Sequence, residues 1–212
     1  VEITLSWDKM EPAILFAGNI TSYAVWAITK DGRPENLGEL PVRSKKSGEA
    51  TFRTGRISFA MIVTAEVLPG TLQPNELVLF TSGKVDEKTR ATNETFPVDL
   101  TNPFGSMMKP GNPSLAEMTY NAKGAEAIEL QQARKGVELA EQLNAGTVAA
   151  KDLETAKTQL SQAQNAAAGG GQSVIVVEYA RRALDSAGAA IRAKVQAMLD
   201  EQVAERRAKL FG

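Results

Sequence analysis

The period of the apolar residues changes once along this chain, from two to about three and a half. The change falls across a proline-rich stretch that has neither period. Val1, Ile3, Leu5 and Trp7 alternate with Glu2, Thr4 and Ser6, a spacing that puts one face of a strand inward. Ala149, Leu153, Ala156, Leu160, Ala163 and Ala167 step by four, three, four, three and four, the a/d seam of a packed helix. No single regular element satisfies both patterns, so the chain must combine a β half with an α half. The spacing predicts an α+β chain of two domains: a β-sandwich over 1–82, an irregular linker over 83–113, and an Ala-rich helical domain over 114–212.

Within the β half, Tyr23–Thr29 is rich in aromatic and β-branched residues and reads as a strand. The Asp31-Gly32 pair that follows favours a tight hairpin turn, because Gly takes positive φ without steric cost. "ENLGEL", Glu35–Leu40, is the returning arm, and Pro34 and Gly38 mark it as an edge strand or a bulged one. Pro12–Phe16 is a short apolar run, and Glu49–Thr54, Ile57–Val67 and Glu76–Ser82 are further strand candidates, punctuated by Pro69-Gly70 and Pro74. Six or seven short strands at this spacing suggest a small immunoglobulin-like sandwich. Tyr23 and Trp26, an odd number of residues apart, fall on opposite faces of their strand. We read Trp26 as core and Tyr23 as a partly buried anchor, since a small sandwich needs large residues to fill it.

In the helical half, Ser114-Leu115-Ala116-Glu117 matches a capping box and predicts a long first helix to about Leu143. Asn144-Ala145-Gly146 would end it, with Gly146 as the left-handed cap. Gly169–Gly171 closes the second helix. A third runs from Ser173 to about Leu210, with Val177, Ala180, Leu184, Ala187, Ile191 and Met198 inward. The expected assembly is an antiparallel three-helix bundle or an elongated hairpin, in which the middle helix is too short to cover the third. Part of the third helix should therefore project, pack on the β-domain or lead into further sequence.

Composition narrows the chemistry. There is no Cys and no His, which removes thiolate chemistry, disulfides, the commonest general base and the commonest transition-metal ligand. A formal net charge of −1 offers no electrostatic reason to expect nucleic acid, and no eighteen-residue apolar run is present to span a bilayer. We find no catalytic constellation, cofactor fingerprint or metal-ligand set, and expect a non-enzymatic protein. Glu39, Glu49 and Glu66 could act as acid and base only if two of them faced each other about 5–10 Å apart, which the sequence does not arrange. Gly169–Gly171 follows a helix and lacks the P-loop Lys, so it reads as a helix–helix loop. Arg181-Arg182 and Arg206-Arg207-Lys209 read as solvated faces, self-paired through Glu178–Arg182 and Glu205–Lys209. Met107-Met108 in the linker could offer a sticky surface.

One stretch carries a family likeness. Tyr23, Val25, Trp26, Ala27, Asp31, Gly32, Asn36, Leu37, Gly38, Glu39 and Leu40, then Val63, Thr64, Ala65 and Glu66, resemble the N-terminal β-domain of bacterial, acidobacterial-type envelope proteins. Ala24 departs from that pattern, where a bulkier β-branched residue is expected. "IELQQARKGVELAEQL", "DLETAKTQLSQAQNAA" and "EYARRALDSAGAAIRAK" are similar to the Ala-rich module that precedes OmpA-like peptidoglycan-binding domains, although no OmpA-like domain lies within these residues. The resemblance implies a periplasmic location at the outer membrane or cell wall. Val1 would then be a processed N-terminus whose signal peptide has been removed. It also implies a role as structural spacer or protein-interaction arm, with another envelope protein or cell-wall component as partner. It supplies no catalytic residues. A carbohydrate- or peptidoglycan-binding β-domain is the alternative, which an exposed aromatic row or facing carboxylates would favour. Homo-oligomerisation through the third helix is a further possibility.

Overall fold

A computed structural model describes residues 1–15, 20–43, 46–84, 93–98, 126–170 and 173–211. The chain is α+β and its contacts group into two units, Val1–Pro113 and Ser114–Gly212. Among the described residues the first holds six strands: β1 (Glu2–Trp7), β2 (Ser22–Ile28), β3 (Pro34–Glu39), β4 (Gly48–Arg53), β5 (Ala60–Glu66) and β6 (Val78–Thr81). They form two antiparallel sheets, a pair β1–β4 and a four-stranded sheet in the order β3-β2-β5-β6. Of the apolar run Pro12–Phe16, Ala13–Leu15 makes one 3₁₀ turn rather than a strand, and Phe16 lies outside the described residues.

The β2–β3 hairpin follows local chemistry. The Gly32 N–H donates to the Thr29 carbonyl at 2.8 Å, and Gly32 takes φ +77°, the left-handed region that closes such a turn. The expected irregularity in the returning arm is a bulge. Val25 faces Gly38 while Trp26 faces Asn36, which leaves Leu37 as the extra residue of edge strand β3. In β1 the alternation holds from Ile3 through Leu5 to Trp7, all half-buried, whereas Val1 is exposed. Trp7 lies flat on Gly48, its partner in register, so closely that a β-carbon there would stand 2.5 Å from the indole.

Strand β2 is buried on both faces. Its inner side chains, Tyr23 and Val25, join Val63, Ala65, Phe52, Ile20, Leu40 and Val42 in a core completed by Leu5, Trp7 and Ala50 of the two-stranded sheet. Its outer side chains, Ala24, Trp26 and Ile28, cluster with Ile62, Val78 and Val98. Trp26 is core and Tyr23 a buried anchor, its hydroxyl donating to the Glu11 carbonyl at 3.0 Å. Burial pushes the Tyr23 phenol above its ordinary range, and the Glu11 charge adds to the effect. Val98 and the Lys30–Glu94 ion pair, 3.1 Å long, tie residues 93–98 to this unit. Phe96 is half-buried; Phe104 and Met107-Met108 lie outside the described residues.

The second unit contains α1 (Ile128–Gln142), α2 (Gly146–Ala168) and α3 (Ser173–Phe211). The capping box at Ser114–Glu117 lies outside the described residues. A continuous helix from there to Leu143 is excluded, because Ala127 has extended backbone, φ −63° and ψ 136°, and α1 starts after it without a side-chain cap. Gly124, with its weak helix propensity, stands just before that break in the sequence. The end of α1 also differs from expectation. Asn144, not Gly146, takes the left-handed conformation at φ 52°. Ala145 N–H then bonds the Ala140 carbonyl and Asn144 N–H that of Glu141, each at 2.9 Å, a Schellman closure. Gly146 is instead the first residue of α2.

The a/d seam of α2 is buried at Ala149, Leu153, Ala156 and Ala163 and half-buried at Leu160, while Ala167 is exposed. Ala149 itself is kinked out of helical geometry, at φ −138° and ψ 50°. Val137, Ala156 and Ala187 meet at the centre, one from each helix, with Leu160 beside them. Lys194 on α3 reaches Thr147 at the start of α2, and Arg181 reaches Glu129 at the start of α1 at 3.4 Å. The helices therefore run up, down and up. The inward stripe of α3 is wider than the heptad reading: Val176, Ala183 and Ala190 are buried with Ala180, Leu184, Ala187 and Ile191, while Val177 and Met198 are half-buried. From Asp200 to Leu210 every residue is exposed. At ~1.5 Å per residue α3 is roughly 58 Å long and α2 roughly 35 Å, so the overhang follows from length alone.

Candidate functional site

The residues weighed as an acid–base pair do not converge. Glu49 lies on β4, in the two-stranded sheet, exposed beside Ser6. Glu39 and Glu66 sit on β3 and β5, strands that flank β2 on opposite sides, so their backbones are about two strand spacings, roughly 10 Å, apart. Glu39 is bound by Arg43 at 3.1 Å. Of the three, only Glu66 has an environment that alters its chemistry.

Glu66 ends β5 on the outer face of the sheet, in line with Ile62 and Thr64 and directly opposite Ser22. It is 1% exposed. A chain of hydrogen bonds reaches it from the core: the Trp26 indole N–H donates to Thr64 Oγ1 at 2.8 Å, and the Thr64 hydroxyl donates to Glu66 Oε1 at 2.5 Å. The Asn75 backbone N–H donates to the same oxygen at 2.9 Å. These are neutral donors, and they do not repay the loss of water around a charge. Burial pushes the Glu66 carboxyl up to about 7, against the opposing pull of Thr64 and Asn75. Two hydroxyls on this side of the molecule, Ser22 Oγ and Thr71 Oγ1, are buried without a hydrogen-bond partner.

The cover over Glu66 is the connection from β5 to β6, residues 67–77. Its ends are pinned at their carbonyls: the Thr21 hydroxyl donates to the Val67 carbonyl at 2.6 Å, and Ala65 N–H to the Leu77 carbonyl at 3.0 Å. Its middle is held by amide side chains. Asn36, which faces Trp26 from β3, donates to the carbonyls of Pro69 and Thr71, both at 2.9 Å. Asn75 donates to the Ala65 carbonyl and accepts from Leu77 N–H. To reach Asn36 from the end of β5, the connection must cross β2, and Trp26, with Val78 and Val98 packed on its cluster, is fully buried. Neither the burial of Glu66 nor the Asn36 contacts were legible in the sequence. The available signal was that Thr64 and Glu66 share the face of Trp26, so a buried Trp26 implies a covered Glu66.

In the helical unit Lys135 is fully buried and paired with Glu138 at 3.0 Å, and Glu129 is buried and reached by Arg181; other charged groups pair at the surface. Arg182 is paired with Glu178, as the helical spacing predicts; among the described residues no ion pair joins Glu205 to Lys209. Hydrogen bonds from Thr29 to Asp31 and from Thr54 to Glu35 hold these carboxyls below their usual range, with Arg33 and Arg56 adding their charges. Lys157 is raised by Glu141, 2.8 Å away. Among the described residues the exposed aromatic is Phe80 alone, so they present no aromatic row. No group of three or more metal-binding side chains occurs among them, and no helix there is long and apolar enough to cross a membrane. No protein-family model matches this chain, and neither a curated protein nor a solved structure resembles it significantly.

Proposed function

We propose that this chain is a non-enzymatic module of the bacterial cell envelope, a periplasmic spacer or protein-interaction arm near the outer membrane or cell wall. In this reading the β unit is an immunoglobulin-like sandwich that serves as scaffold, and α3 makes the contact. The observation that carries the interaction role is the exposure of Asp200–Leu210 on a helix whose preceding turns are packed. A helix continued past its own bundle keeps its backbone bonded and offers its side chains to a partner. Val203 and Leu210 supply apolar contact there, among Glu201, Glu205, Arg206, Arg207 and Lys209. The envelope setting is supported by the likeness of Tyr23–Leu40 and Val63–Glu66 to envelope β-domains.

The test compares the full chain with a chain ending at Leu199, each immobilised and exposed in parallel to purified cell-wall sacculi and to solubilised envelope proteins. Capture of a defined envelope protein by the full chain, lost on truncation with the melting temperature unchanged, is the expected result. Retention of both chains on bare sacculi would overturn the reading and move the function to glycan recognition by the β unit.

A further inference from the structure

We propose that residues 67–77 form a pH-gated strap, shut over the outer face of the four-stranded sheet when Glu66 is neutral and lifted when Glu66 is ionised. Two observations carry this independently of the proposed envelope role. First, the strap is fixed at its ends, where the Val67 and Leu77 carbonyls accept from the Thr21 hydroxyl and the Ala65 N–H, whereas its middle hangs on the Asn36 amide, the Asn75 side chain and the Asn75–Glu66 bond. Such a segment can lift without breaking the sheet. Second, Glu66 lies beneath it with neutral donors on Oε1. Ionisation of Glu66 leaves a charge on a carboxylate that is 1% exposed. Lifting the strap is the shortest route by which water reaches it.

Among the described residues, the charged groups on the surrounding elements do not supply a counterion. Strand β2 presents Ser22, Ala24 and Trp26 on this face, and β6 presents Val78. On β3, Glu35 faces the other way and is bound by Arg56 at 2.7 Å, while Glu39 engages Arg43. Glu76, on the strap itself, is exposed. The Glu66 carboxyl, pushed up to about 7 by burial, places the transition in a range that a compartment can cross.

The experiment is amide hydrogen exchange on the full chain from pH 5 to pH 8, read as protection factors so that intrinsic rates cancel. If the lifted strap returns Glu66 to its ordinary 4.5, protection of the Asn75 and Leu77 amides should fall by roughly fifty- to a hundredfold over that range. The β2 amides of Val25 and Trp26 should hold. Glu66→Gln should abolish the pH dependence in a chain of native fold. Flat protection in the wild type, an unchanged profile in Glu66→Gln, or equal losses in strap and β2 would each overturn the strap.

Discussion

The outer face of the four-stranded sheet and the seam of the helical unit are both fully buried, but by opposite means. On the sheet, one indole anchors a chain of polar groups, Trp26 to Thr64 to Glu66, each satisfied by the next. In the bundle, Ala156, Ala163, Ala180, Ala183, Ala187 and Ala190 are buried with few large neighbours, so contact is spread thinly along long helices. A concentrated core fails at single positions, and a distributed one degrades by degrees. Both units also bury titratable groups, but differently: Lys135 of the bundle is paired with Glu138 at 3.0 Å, whereas Glu66 of the sheet is held by neutral donors.

The sharpest way to break this comparison is to truncate one large buried side chain in each unit. Trp26→Ala removes the indole and the donor that Thr64 Oγ1 accepts from, and should cost the β unit about 4–5 kcal/mol, at the top of the range for such truncations. Leu153→Ala, in the α2 seam, should cost the helical unit about 2–3 kcal/mol, because Ala neighbours leave less packing to lose. Urea unfolding followed by far-ultraviolet circular dichroism separates the two, with the strand and helix signals read independently. Equal losses would mean that the bundle is as tightly specified as the sheet.

The second effect belongs to the sheet alone. The carboxyl of Glu66 is raised from 4.5 to about 7, so the folded state holds a proton that the unfolded state has released between those values. The contribution of Glu66 to the stability of the β unit is therefore fully present below pH 4.5, falls as pH rises to 7 and levels off above it, whereas Asp31 and Glu35, held below their usual range, lose theirs at the acid end. The upper limit is about 3 kcal/mol, reduced if the strap opens and hydrates the charge. Glu66→Gln should remove this slope. The midpoint of the helical transition should not move across the same window, and a parallel slope there would show that the dependence does not originate at Glu66.

These contrasts also account for what was legible in the sequence. The β2–β3 hairpin, the bulge near Gly38 and the α2 seam depend on residues within a few positions of one another, and each was readable from turn chemistry or periodicity. The burial of Glu66 depends on a connection that leaves β5 and crosses β2 to reach Asn36, a contact 33 residues apart in the case of Pro69. Alternation along Ile62-Thr64-Glu66 reads as a solvent-facing side, and only the covering strap makes it interior. Likewise the exposed end of α3 was foreseeable from the mismatch in helix length, whereas the break at Ala127 was not, since its neighbours favour helix.

The finest contrast concerns how each unit turns its chain. At the β2–β3 hairpin the left-handed position is taken by Gly32, and at the α1–α2 corner by Asn144 although Gly146 stands two residues away. Position decides this, because the Schellman closure needs its left-handed residue immediately after the C-cap, Leu143. Asn tolerates that conformation better than other residues with a β-carbon, but not as well as Gly. Asn144→Gly should therefore leave the helical unit unchanged or stabilise it by a few tenths of a kcal/mol, and Asn144→Ala should destabilise it by about 1 kcal/mol. Paired thermal melts at 222 nm would resolve the two. If Asn144→Gly instead destabilised the unit, the Asn side chain would be holding the corner through a contact of its own, and the thinly spread packing of the bundle would have at least one fixed point.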